Sequence, residues 1–120
     1  MKIFLICPVR WITETERVQI AEYVAALEAE GRQVHWPVRD TDQSDPVGLR
    51  ICETNRAKIE EAGAVHVWYN DASQGSIFDF GMVFALRKKL VIANSWAVVR
   101  TPHKSFGNVL LAYSEQNSPE

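Results

Sequence analysis

The chain has 120 residues, of which 47% are apolar, with 13 basic against 15 acidic residues and a net charge of −2. That length suffices for one domain with a sizeable core and not for two. The near-even charge balance offers no basic excess for nucleic acid and no acidic block for a solvating tail. Every apolar run falls far short of the roughly 20 residues that a membrane span needs.

The N-terminus, Met1-Lys2-Ile3-Phe4-Leu5-Ile6-Cys7-Pro8, has the charged start of a secretory leader. Its apolar run is too short, however, and no small-residue cleavage site follows, so residues 3–7 read as a buried strand of a cytosolic protein. Thr13-Glu14-Thr15-Glu16 has capping-box spacing, and Ile20, Tyr23, Val24 and Leu27 follow at helical spacing up to Gly31, which predicts a helix over 13–30. Val34-His35-Trp36 is a short second strand, and residues 37–47, polar and holding Pro37 and Pro46, read as a loop. A second helix is expected over roughly 47–62, a third strand over 64–69, and a third helix from Ser76 to about Lys88. Leu90-Val91-Ile92-Ala93 is a fourth strand, Asn108 to Tyr113 is a last helix or a fifth strand, and residues 115–120 are expected to fray.

Strands alternating with helices imply a three-layer, doubly wound parallel sheet of four or five strands, flavodoxin-like or Rossmann-like, in a single domain. Ligands of such sheets bind beyond the carboxyl ends of the strands, where the strand order reverses. Three segments fall there: Pro8 to Ile12, Pro37 to Asp45, and Asn70 to Asp79.

The third segment ends in Ser73-Gln74-Gly75-Ser76-Ile77-Phe78-Asp79, a small-residue loop entering a helix. Free N–H groups and the positive dipole end there suit an anion or a sugar hydroxyl. Ser76-x-x-Asp79 is also a capping box, which needs no ligand, and both readings stand. In the second segment Arg39, Asp40, Asp42 and Asp45 could suggest calcium, but the template's sixth and twelfth positions hold Asp45 and Ile51 instead of Gly and Glu. A solvated loop is the better account. Arg10 is placed either for a phosphate or carboxylate or for a surface salt bridge. His35 and His66 read as packed or edge residues and His103 as a loop residue, while Trp36, Trp68 and Tyr69 read as core with base stacking as the alternative. Cys7 and Cys52 read as reduced thiols, and no spacing suggests zinc. The P-loop, GxGxxG, GxSxG and HExxH motifs are absent, which argues against ordinary NTPases, dinucleotide oxidoreductases, α/β-hydrolases and zincins.

The order strand, Cys7-Pro8-Val9-Arg10, helix, polar loop, Asn55-Arg56-Ala57-Lys58-Ile59-Glu60-Glu61-Ala62, strand, Ser73-Gln74-Gly75-Ser76-Ile77-Phe78-Asp79-Phe80-Gly81 resembles the nucleoside 2-deoxyribosyltransferase superfamily. Within it the likeness is to the branch that hydrolyses nucleoside 5′-monophosphates, and it spans roughly residues 2–94. The resemblance implies cleavage or transfer at an N-glycosidic bond, with no metal or organic cofactor. A carboxylate two residues before a helix Gly attacks the anomeric carbon in that family, and Asp79 matches it. The family's phosphate-binding Ser, six residues earlier, is matched by Ser73, and its Arg in the first loop by Arg10, with Pro8, Val9, Gly75 and Ser76 as companions. Homodimers or larger assemblies are typical, and Asn108 is the candidate to complete a neighbour's site. The chain departs from the family in having Asp79 where Glu is usual and Asn55 where relatives carry Asp, so Asp71 or Asp40 would have to supply a second carboxylate. A non-catalytic nucleotide-binding or sensing domain is the alternative reading, and a flavin carrier is a third.

Overall fold

The computed structural model describes residues 1–116; the part of the expected frayed tail at 117–120 lies outside them. Its elements are β1 (Lys2–Ile6), α1 (Glu14–Ala29), β2 (Gln33–His35), α2 (Pro37–Asp40), α3 (Leu49–Glu61), β3 (Ala64–Val67), α4 (Gln74–Ala85), β4 (Leu90–Ile92), a 3-10 turn (Ser95–Ala97) and α5 (Phe106–Gln116). All strand pairings are parallel, in the order β2-β1-β3-β4, so the sheet has four strands and the last segment is a helix. Ile3 sits opposite Val34 on one side and Ala64 on the other, and Val67 bridges Ile6 and Ile92.

Strand alternation sends successive side chains to opposite faces. Phe4, Ile6, Val65 and Val67 pack with Ile59, Phe80, Val83, Leu110 and Tyr113, so α3, α4 and α5 cover one face. Ile3, Leu5, Val34 and Trp68 pack with Ile20, Val24 and Leu27, so α1 covers the other. Because β2 and β3 flank β1 on opposite sides, the connections leaving β1 and β3 diverge at their carboxyl ends and open a crevice.

Local chemistry explains the boundaries. The Thr13 hydroxyl accepts from Glu16 N–H at 3.0 Å and starts α1. Pro37 begins a short helix where a loop was expected, since proline's fixed φ suits a first helical position as well as it breaks an interior one. Gly48, at φ 94°, turns the chain into α3 through a conformation that favours glycine. Asp42 and Asp45 cap their own neighbours' N–H groups, in keeping with a solvated loop. His35 stacks on Phe4 and meets the Thr41 hydroxyl, while buried His66 meets the Tyr23 hydroxyl, so both strand histidines are packed.

Beyond β4 the buried Asn94 continues the ladder with a side chain. Its Oδ1 accepts from Tyr69 N–H at 2.6 Å and its Nδ2 donates to Tyr69 O at 2.9 Å. Asn94→Ala leaves both backbone groups without a partner and should lower stability by about 2–4 kcal/mol in urea titrations. That loss would far exceed the effect at an exposed asparagine.

Candidate functional site

The crevice holds a cavity of about 660 Å³, within the size range of small-molecule sites. Its wall is drawn from the carboxyl-end segments of β1, β2 and β3. Cys7, Val9, Arg10 and Trp11 follow β1, Pro37 and Gln43 follow β2, and Ala72 to Gly75 follow β3. Two helices complete it. Ile51, Cys52 and Asn55 share one face of α3, and Gly75, Phe78 and Asp79 share one face of α4, at the one-turn spacings that bring side chains together.

Asp79 is the only acid in this lining among the described residues, and its placement corrects the sequence reading. The Ser73 hydroxyl, rather than that of Ser76, caps α4: it accepts from Ser76 N–H at 3.2 Å and donates to Ser76 Oγ at 2.8 Å. The helix therefore begins at Gln74, and Asp79 sits in its second turn, beyond the reach of a capping box. The carboxyl is half-buried on the cavity wall, with a single hydrogen bond among the described residues, donated by Asn55 Nδ2 to its Oδ2 at 3.5 Å. Burial pushes its pKa up to about 7, against the smaller opposing pull of that amide.

Both thiols line the same space. Burial pushes Cys7 up to about 12, the Trp36 indole N–H offsetting part of this and the Asp79 charge adding to it. Burial and Asp79 also raise Cys52. Both are therefore neutral lining groups rather than thiolate nucleophiles.

Arg10 is exposed and makes no hydrogen bond or ion pair among the described residues, so the salt-bridge reading of it does not apply. The N–H groups of Gln74 and Gly75 lead α4 on the same wall, ahead of its first intrahelical bond. Val9, Arg10, Ser73, Gly75, Asn55 and Asp79 are thus brought together.

Other candidates lie elsewhere. Pro8 is fully buried beneath the loop, and Ser76 is buried against Ser73. Asp71 is turned away by the Asn70 side chain, which accepts from Ala72 N–H, and lines a separate hollow of about 280 Å³ with Tyr69, Phe106 and Gly107. Asp40 has both oxygens engaged, by Arg39 and by Trp36 N–H. The Asn108 amide is engaged within its own loop, accepting from Thr101 N–H and donating to the Thr101 hydroxyl and His103 O.

Trp11, Gln43 and Phe78, from the three segments expected at the ligand end, join the site although none was given a role from the sequence, as does Cys52, read there as a reduced thiol. Trp11 is the most conspicuous: it is 88% exposed on the cavity rim and held at φ 62°, a left-handed conformation rare for a bulky residue. Phe78, also largely exposed, adds a second aromatic ring to the lining.

No family model matches the chain, and no curated protein does. Among solved structures it is similar to the CMP N-glycosidase BcmB of Clostridium botulinum, at 19% identity and a TM-score of 0.59 over 77% of this chain and 67% of that one. It is also similar to a 2-deoxyribosyltransferase of the psychrotolerant bacterium Bacillus psychrosaccharolyticus, at 15% identity and a TM-score of 0.61 over 92% of this chain and 90% of that one. The chain shares the fold of these two enzymes. That agreement bears out the parallel α/β architecture and, at the level of fold, the resemblance to the deoxyribosyltransferase superfamily. No helix of the described residues is long and apolar enough to cross a membrane.

Proposed function

We propose that this protein cleaves or transfers the N-glycosidic bond of a nucleoside or nucleoside 5′-monophosphate, with Asp79 as the reacting carboxylate. The observation that carries this reading is the convergence on one cavity wall of a half-buried carboxylate, an unpaired guanidinium and a helix N-terminus. The names of the two structural neighbours, an N-glycosidase and a deoxyribosyltransferase, support the same bond.

An N-glycosidic bond breaks through an oxocarbenium-like state. Ionised Asp79 would stabilise the positive charge at the anomeric carbon, or form an ester to it as the base leaves with the C–N electron pair. The leaving base takes up a proton, and water or a second base then attacks the anomeric carbon and frees the carboxylate. Arg10 and the N–H groups of Gln74 and Gly75 would hold a 5′-phosphate, and Trp11 and Phe78 offer ring faces to the base. The sequence of steps calls on no metal or organic cofactor.

One observation favours a second reading, a nucleotide-binding or sensing domain. With Asp71 and Asp40 elsewhere, the lining holds no second carboxylate among the described residues to protonate a leaving base. Incubation with a panel of nucleosides and their monophosphates, followed by chromatography for free base, separates the two. Free base at a rate above the uncatalysed background is the expected result; tight binding without release would leave the sensing domain.

We also propose a homodimer. The side of α4 away from the cavity supports it: Phe84 is 57% exposed, one turn from Gly81, where an added Cβ would meet nothing. An apolar outer face on a helix already packed on its inner side calls for a partner surface.

A further inference from the structure

The cavity wall contains a polar group that the proposed chemistry leaves unused. Asn55 is 6% exposed on α3. Its Nδ2 is spent on Asp79 Oδ2 at 3.5 Å, and its buried Oδ1 has no hydrogen-bond partner. A buried, unpartnered carbonyl costs about 1–3 kcal/mol, and a leucine of similar size would avoid that penalty. A ligand hydroxyl cannot satisfy this oxygen, because it is closed off from the cavity. Asp79, however, lies at the other end of the same amide, and rotation about χ2 exchanges the two nearly isosteric ends.

The geometry points to Asn55 as a positioning residue that serves both protonation states of Asp79, its N–H donating to the carboxylate and, after the amide turns over, its carbonyl accepting from the carboxylic acid. The inference rests on the reading of Asp79 as the reacting group, and it assigns the proton control of that site. In one orientation the carboxylate is held for attack. In the other the proton on Asp79 is bonded to Asn55 Oδ1 and the acid is held without a counter-charge. An apolar residue would serve neither state, and a second carboxyl would force the pair to share a proton.

The groups facing Asp79 leave this role to Asn55. They are the Cys7 thiol from the end of β1 and the Cys52 thiol from α3, both neutral, with Arg10 on the same cavity wall and no other acid in the lining among the described residues. Burial holds the Asp79 carboxyl near neutrality, where both forms are populated.

The test is a carbon-13 titration of the labelled Asp79 carboxyl, assigned with Asp79→Asn, in the intact chain and in two Asn55 variants. Asn55→Leu removes the partner of both forms and should raise the Asp79 pKa by about half a unit, roughly a threefold fall in its acid dissociation constant, because the charge-assisted bond to the carboxylate outweighs the neutral bond from the acid. Asn55→Asp should make the titration biphasic, the second step moving up by about one to three units as two carboxyls share a proton. In the unmodified chain the Asn55 side-chain amide nitrogen should titrate with the Asp79 midpoint and stay flat in Asp79→Asn. This measurement needs no folded Asn55 variant. An Asn55 amide that ignores the Asp79 midpoint, or an Asp79 titration that stays a single step in Asn55→Asp, overturns the inference. None of these signals requires turnover, so the absence of free base would sink the glycosidic reading and leave this one standing.

Discussion

Asp79→Asn should abolish turnover, by about 10³-fold or more, while leaving nucleotide binding within a few-fold of the unmodified chain. The amide keeps the shape of the carboxyl and loses the anion that meets the oxocarbenium charge. A pH profile of kcat/KM checks the same group from another side: activity should rise with pH to a limb near 7, since burial holds the Asp79 carboxyl up to about 7 and only its ionised form reacts. Stability should move the opposite way. From the ordinary value of 3.8 to about 7, the native carboxyl keeps a proton that the unfolded chain has lost, so native stability falls as pH rises through that window. Each unit corresponds to about 1.4 kcal/mol, and partial exposure reduces the three-unit total to about 2–3 kcal/mol. Asp79→Asn should therefore gain about that much in urea unfolding at pH 8 and almost nothing at pH 4. A variant no more stable than its parent at pH 8 would mean that the carboxyl is not held up by burial.

The frame of the site was legible because hydrophobic periodicity reports burial. The runs from Ile3 and from Ala64, with helical spacing between them, were enough to place the loops after β1 and β3 at one sheet edge. Errors arose where two residues compete for one role. Ser73 and Ser76 can each cap a helix, and the local pattern does not say which one does, yet that choice decides whether Asp79 serves its own backbone or faces the cavity. Asp71 looks equivalent to Asp79 along the chain, and only the turn made by Asn70 sends it to a different hollow. Pro37 reads as a breaker and acts as a helix start. Gln43 and Phe78 fell inside segments placed at the ligand end without a role of their own, and Cys52 on α3 joins them only once the sheet order is known. Trp11 carried a signal of its own, a tryptophan in a short loop between Pro8 and Thr13 with no apolar periodicity to bury it.

Arg10→Ala should erase most of any preference for a nucleoside 5′-monophosphate over the nucleoside, weakening monophosphate binding by about ten-fold or more and leaving nucleoside binding nearly unchanged. A charge-assisted bond contributes about 1.5–3 kcal/mol, and ordering a long exposed side chain takes back part of it. The lower end of that range is about a factor of ten in affinity. Arg10 is the clean site for this measurement because it has no partner among the described residues, so its removal strands no other group. Ser73→Ala is not clean. The Ser73 hydroxyl caps α4, and its loss costs about 1 kcal/mol of stability and loosens the N–H groups that would meet the phosphate. Salt provides an internal control, since an exposed guanidinium is screened: raising ionic strength from 0.05 to about 0.5 M should narrow the monophosphate preference in the unmodified chain and do little to Arg10→Ala. Calorimetry on both proteins at both salt concentrations reads all four values. Equal affinity for nucleoside and monophosphate in the unmodified chain would remove the phosphate subsite and leave Asp79 and the aromatic rim to recognise a plain nucleoside.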